Sequence, residues 1–209
     1  MNIDIGSGNC KHPGFFGIDR KPSSETDLVW NLNDPLPLPD DSVEFVMASR
    51  CLPYVNDLFA VMKELHRVCV HKAVVCVLAP YAHSFVHMSN PLFKQKFDEH
   101  TPRYLTPHFF QPSHGPLCPV NAQYPEEPPA FDFRLLRMEL FYDPAYAPPL
   151  YEREELEVLR RVQPNVVREI MYHFVAVKEP VGFEELERMS RQRYPEPAAV
   201  VGLRKALAD

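Results

Sequence analysis

Paired cysteines, an excess of cations and long apolar runs are all missing from this 209-residue chain. Its five cysteines, Cys10, Cys51, Cys69, Cys76 and Cys118, are odd in number and scattered, and no CxxC pair occurs. That argues against a disulfide framework and against zinc or dithiol motifs. Cys69 and Cys76 sit among Val and Leu, as small buried hydrophobes do, and a reduced, cytoplasmic protein is expected. Lys and Arg number 22 against 28 Asp and Glu, a formal net charge of −6. Nucleic-acid and membrane-surface partners need clustered cations, so neither is expected. No run approaches the ~20 apolar residues that cross a bilayer. The opening Met1-Asn2-Ile3-Asp4-Ile5 lacks the basic start and apolar stretch of a signal peptide. Glycine is scarce at 7 and proline abundant at 23. The prolines crowd between Pro102 and Pro149, where long helices cannot run, so loop, extended chain or a lid is expected there.

What is present reads as one α/β domain. Short, nearly continuous apolar runs at 2–5, 15–18, 27–30, 43–48 and 73–79 suit a parallel sheet buried on both faces. Between the last two lies a helix over about 55–70. Its stripe is Leu58, Val61, Met62, Leu65 and Val68, with Asn56 or Asp57 as N-cap. Strand, helix and strand at this spacing make a parallel crossover. The first crossover is different: 7–14 contains Pro13 and Gly14 and has no room for a full helix. Further on, 131–141 reads as a long strand whose alternation slips by one residue, 152–162 as a helix and 169–177 as another strand. The expected organisation is a domain over 1–180 with a proline-rich insertion or lid at about 101–150. A tail over 181–209, broken by Pro195 and Pro197, is expected to pack loosely.

The chemistry concentrates at the strand tips. Strand one ends in Asp4-Ile5-Gly6-Ser7-Gly8-Asn9. Glycine there lets the backbone turn sharply and approach a ligand closely, leaving turn amides free to donate. Asp19 ends strand two, where an acid can accept both hydroxyls of a ribose. Asn31-Leu32 ends strand three, ahead of the stiff Leu36-Pro37-Leu38-Pro39-Asp40-Asp41 loop, and Ser49 ends strand four. Tyr81 and His83 follow strand five, placed for general-base work on an acceptor hydroxyl or amine. His83 and His87 share an i, i+4 spacing, but no third ligand stands at a diagnostic distance, so no metal site is expected. Tyr104, Phe109, Phe110, Tyr124, Phe131 and Phe133 either cap a substrate cleft or pack the proline-rich flap onto the sheet. A nicotinamide site fits poorly, because the helix that should hold a pyrophosphate after the glycine loop has no room before Pro13.

These stretches, with Gly14-Phe15-Phe16-Gly17-Ile18-Asp19 and Met62-Lys63-Glu64-Leu65-His66-Arg67-Val68, stand in the order and at the spacing of a known family. Over its first eighty or so residues the chain resembles the class I S-adenosylmethionine-dependent methyltransferases, specifically the type 11 branch. The resemblance implies a Rossmann-like, mostly parallel sheet with an antiparallel last strand and S-adenosylmethionine as cofactor. By it, Gly6 and Gly8 bend around the methionine part, Asp4 orients its amino group, and Ser7 and Asn9 of the same loop are cofactor-binding residues. Asp19 holds the ribose, Arg20 beside it is a further cofactor-binding residue, Asn31 and Leu32 flank the adenine, and Ser49 lies near the methyl group. An unidentified acceptor, with a small molecule or sugar favoured, completes the expected reaction. Four positions depart from the family pattern. Asn9 replaces a glycine, which asparagine's tolerance of left-handed angles accommodates. Asn31 replaces an acid, Pro53-Tyr54 replaces Glu-His, and His71-Lys72-Ala73 replaces a Gly-Gly turn. The rival reading is a non-catalytic, methyltransferase-like binding or regulatory module that works through a protein partner or as a homo-oligomer.

Overall fold

The computed structural model describes residues 1–120, 127–146 and 150–205. Seven strands form one sheet in the order β3-β2-β1-β4-β5-β7-β6. They are β1 (Asn2–Ile5), β2 (Phe16–Asp19), β3 (Leu28–Val29), β4 (Val43–Ser49), β5 (Cys69–Pro80), β6 (Phe133–Tyr142) and β7 (Val167–Ala176). The β3-β2, β2-β1, β1-β4 and β4-β5 pairs are parallel, while β7 runs antiparallel to both of its neighbours, β5 and β6. The last strand is therefore the one reversed strand, as expected. Central strands carry apolar residues on both faces. Ile3, Ile5, Val46 and Val75 face one layer, Met47, Cys76 and Leu78 the other, and all are essentially fully buried.

The helix between β4 and β5 is α1 (Leu58–Val68). The Asp57 side chain caps it by accepting from the Ala60 amide at 3.0 Å, and the predicted stripe is the buried face. Its last turn also fastens the loop before β4. Arg67 donates to the carbonyls of Leu38 (3.0 Å) and Leu36 (2.9 Å) and to Asp40 Oδ1 (2.6 Å). Glu64 accepts from both Arg67 and the Leu36 amide. The two stretches of the sequence motif, 36–44 and 62–68, are thus one hydrogen-bonded unit. The slip in strand six is a bulge, with the β6–β7 register shifting between Leu135 and Arg137. The aromatics of the flap are mostly packing. Phe110, Phe131 and Phe133 are buried, and Arg103 lies over the Phe109 ring at 3.9 Å. Tyr124 lies outside the described residues.

The first crossover is indeed helix-free, and that has a consequence for the tail. With no helix after β1, the face carrying Phe45, Met47 and Cys76 needs another cover. Phe15 supplies part of it, and α5 (Phe183–Ser190) and α6 (Ala199–Lys205) supply the rest through Leu186, Met189 and Val200. Arg204 locks α6 down with paired hydrogen bonds to Glu139 (2.9 and 2.6 Å) and Glu196 (2.6 and 2.9 Å). The segment expected to pack loosely is therefore part of the core. Leu186→Ala should lower stability by about 2–5 kcal/mol within a single urea transition. A loose tail would leave the midpoint unchanged.

Candidate functional site

The strand tips at the carboxyl end of the parallel sheet enclose a hollow of ≈ 530 Å³, a size that suits a small ligand. Its bottom is the β1 bend. Gly6 has φ 65° and donates its amide to the Ile18 carbonyl at 2.7 Å. A Cβ on Gly6 would overlap the Cys51 side chain, whereas one on Gly8 (φ 54°) would meet nothing within 4 Å. Gly6 is thus required by packing as well as by its left-handed backbone, while Gly8 faces open space. Asn9 has no positive φ, so its replacement of glycine needs no left-handed tolerance.

Asp19 points at this bend. Its Oδ2 accepts from the Gly8 amide at 3.0 Å and its Oδ1 from the Lys21 amide at 2.8 Å. A carboxylate has about four acceptor sites, so two amides leave capacity for a ligand's hydroxyls. Asn31 stands opposite, its Oδ1 accepting from the Asn33 amide (3.1 Å) and side chain (2.9 Å). Asn33 in turn accepts from the Asn56 amide at 2.7 Å, tying the β3 loop to the start of α1.

Of the residues singled out from sequence, Gly6, Gly8, Asn9, Asp19, Arg20, Asn31, Leu32 and Ser49 all line this hollow. Asp4 and Ser7 do not. They line a smaller hollow of ≈ 310 Å³ on the other side of the bend, partly walled by Glu196 to Ala199, and the two hollows meet at Gly6, Ser49 and Arg50. Asp4 is buried, and its Oδ2 accepts from the His12 amide at 2.7 Å. Burial holds its carboxyl above the usual range against the lowering effect of that bond. The Ser7 hydroxyl is buried with no hydrogen-bond partner among the described residues. Tyr81 and His83 lie in neither hollow; they line a separate cavity beyond β5. The Tyr81 hydroxyl donates to Glu99 at 2.6 Å, and burial first, then the Glu99 carboxylate, pushes its pKa far up. That phenol is a donor rather than a base.

Three wall residues had weaker sequence signals. Tyr54 lines the hollow where the family pattern has His, and its ring meets Phe93 edge-on at 4.8 Å. The Cys51 thiol, pushed up by burial, is held protonated. Arg50 has φ 58°, a conformation disfavoured for any side-chain-bearing residue. Its Nε and Nη2 donate to the two carboxylate oxygens of buried Glu169 on β7 at 2.5 and 2.7 Å. Positive φ at a non-glycine strand tip is invisible to composition, and its partner is 119 residues away.

Two outcomes follow. Gly6→Ala should destabilise by about 3 kcal/mol or more and Gly8→Ala by about 1–2 kcal/mol, because only the first adds a steric clash to the left-handed strain. Urea unfolding of both variants measures the difference. Asp4 carries a raised pKa, so the folded state binds more protons than the unfolded chain just above the ordinary carboxylate range. Its contribution to stability therefore falls as pH rises through that window. Asp4→Asn should gain stability relative to the parent as pH rises there, and parallel stability curves would refute this.

No protein-family profile matches the chain, and no curated protein matches it in sequence. Solved structures do resemble it. A SAM-dependent methyltransferase from Archaeoglobus fulgidus is 15% identical, with 83% of this chain and 85% of that chain covered and a TM-score of 0.55. A putative methyltransferase of Haloferax volcanii, solved in complex with the Trm112 methyltransferase activator, is 15% identical over 87% of this chain and 83% of that chain, at 0.51. The [4+2]-cyclase SpnF is 12% identical over 87% of this chain and 74% of that chain, at 0.50. With its strand order, its single reversed strand and its glycine bend, the chain has the fold of the class I S-adenosylmethionine-dependent methyltransferases.

Proposed function

We propose that the chain binds S-adenosylmethionine and transfers its methyl group to an acceptor, a small molecule or a sugar being favoured. One observation carries the reading: the Asp19 carboxylate, held at the bend by the Gly8 amide, lines an open hollow together with Gly6 and Gly8. The residues present fit such a ligand. Open space over Gly8 admits it, Asp19 keeps acceptor capacity for ribose hydroxyls, and Asn31, Asn33 and Leu32 supply polar and apolar edges for a base. Ser7 offers an unused hydroxyl and Asp4 a carboxyl in the adjoining hollow, suited to an amino-acid end.

When bound, S-adenosylmethionine supplies an electrophilic methyl group on a sulfonium that is already a good leaving group. The chain's own work is then orientation and exclusion of water. Arg50 and Ser49, at the meeting point of the two hollows, border the place where an acceptor would approach. Among the described residues no histidine lines the main hollow, and Cys51 is held protonated, so neither an imidazole nor a thiolate there takes up an acceptor's proton. The SpnF cyclase has a similar fold and a different reaction in its name, so turnover rather than architecture decides the chemistry. The rival reading, a non-catalytic module that acts through a protein partner, draws on the Haloferax volcanii neighbour and its activator.

Calorimetry with S-adenosylhomocysteine tests the proposal. Saturable binding is expected, weakened about 10- to 100-fold in Asp19→Ala through loss of charge-assisted hydrogen bonds. No heat and no thermal protection at high ligand concentration would retire it. Binding without turnover on any acceptor would favour the partner-binding module.

A further inference from the structure

Beyond the tip of β5 a second cavity, of ≈ 560 Å³, opens between the segment after that strand and the end of α4 (Arg153–Val162). It shares no lining residue with the hollow at the glycine bend. Tyr81, His83, Glu99, His100, Arg160 and Arg161 stand in its wall. The frame is tied on two sides. The Asn165 amide donates to the His83 carbonyl at 3.1 Å, and the Asn165 side chain accepts from the Phe85 amide. The Ala82 amide donates to the Phe97 carbonyl at 2.9 Å, which brings the Glu99 segment alongside.

Glu99 is satisfied. It is buried and accepts from the Tyr81 hydroxyl and from Arg160 Nη1. Arg160 is not. Its side chain is only 4% exposed, yet its Nε–H has no hydrogen-bond partner among the described residues. A guanidinium presents five donors in a planar fork, and Glu99 takes up only part of it. Leaving such a donor buried and unused is costly, and structures seldom tolerate it without a reason. On the lip, Arg161 is exposed and makes no ion pair with any described residue. The wall of this cavity therefore holds one carboxylate and two guanidinium groups, with His83 and His100 in the same lining. A purely structural role for Arg160 accounts for its bond to Glu99. It does not account for the unused donor or for the second cation placed over the same cavity.

We infer that this cavity is a binding site for a small molecule bearing an oxyanion, a carboxylate or a phosphate, received by Arg160 and Arg161. The planar fork matches two oxygens of either group. Glu99, by fixing Nη1, orients the fork. The inference does not rest on the reading of the glycine bend, because the two sites share no residue.

The test uses the full chain labelled with nitrogen-15. The buried Arg160 Nε–H signal, assigned by its loss in Arg160→Lys, is followed during separate titrations with inorganic phosphate and with citrate to about 10 mM. A saturable shift with at least one oxyanion is expected, with none from sodium chloride at matched ionic strength. Arg161→Ala, an exposed substitution that spares the fold, should weaken the apparent affinity about tenfold. Saturation by phosphate alone assigns a phosphate ligand; saturation by citrate alone assigns a carboxylate. No saturable shift with either, or the same titration curve in Arg161→Ala, overturns the proposal.

Discussion

Gly6 sits where the ends of β1, β2 and β4 converge. Its amide is bonded to β2 through Ile18, its backbone turns through φ 65°, and a side chain there would collide with Cys51, two residues past the end of β4. The bend lets β1 stop short and leaves a hollow above the sheet. It also turns the Gly8 amide toward Asp19, so the acid at the tip of β2 is held by the loop it faces. Any side chain at position 6 would push β1 and β4 apart at the point where both hollows meet. The site is therefore a consequence of how closely two strand ends can approach, and only a residue without a Cβ permits that approach.

The rest of the domain is arranged around a missing helix. The turn between β1 and β2 is too short to cover the sheet, and the chain solves this with its last segment rather than its first. Leu186, Met189 and Val200 complete the second core layer, and Arg204 joins Glu139 on the sheet to Glu196 in the tail. Glu196 to Ala199 then wall the hollow that contains Asp4 and Ser7. A packing requirement on one face thereby shapes a pocket at the strand tips, and residues almost two hundred positions apart in sequence come to share it.

Charge placement follows a similar economy. Arg67, Arg50 and Arg160 each hold a carboxylate, but their settings differ. Arg67 is a fastener between α1 and the loop before β4, with its donors distributed over two carbonyls and two acids. Arg50 is oriented by Glu169 and borders both hollows at the bend. Arg160 is the one with a buried donor left over. The strain at Arg50 and the unused donor at Arg160 are the kind of local cost that a fold retains where a ligand compensates for it.

Periodicity and strand-tip chemistry were legible from the amino-acid order. The apolar runs announced the sheet, the 58–68 stripe announced α1, the slip after Leu135 announced the β6 bulge, and Gly6, Gly8, Asp19 and Asn31 announced the hollow. These are local signals: burial on both faces demands continuous apolar strands, and a sharp turn demands glycine. The sequence alone could not say that Asp4 and Ser7 open on the far side of the bend, that Tyr81 lies in another cavity hydrogen-bonded to Glu99, or that the tail is core. It also could not pair Arg50 with Glu169 or leave Arg160 with a free donor. Each of those depends on contacts between segments distant along the chain, and such contacts are settled only when the sheet closes and every face must find a cover.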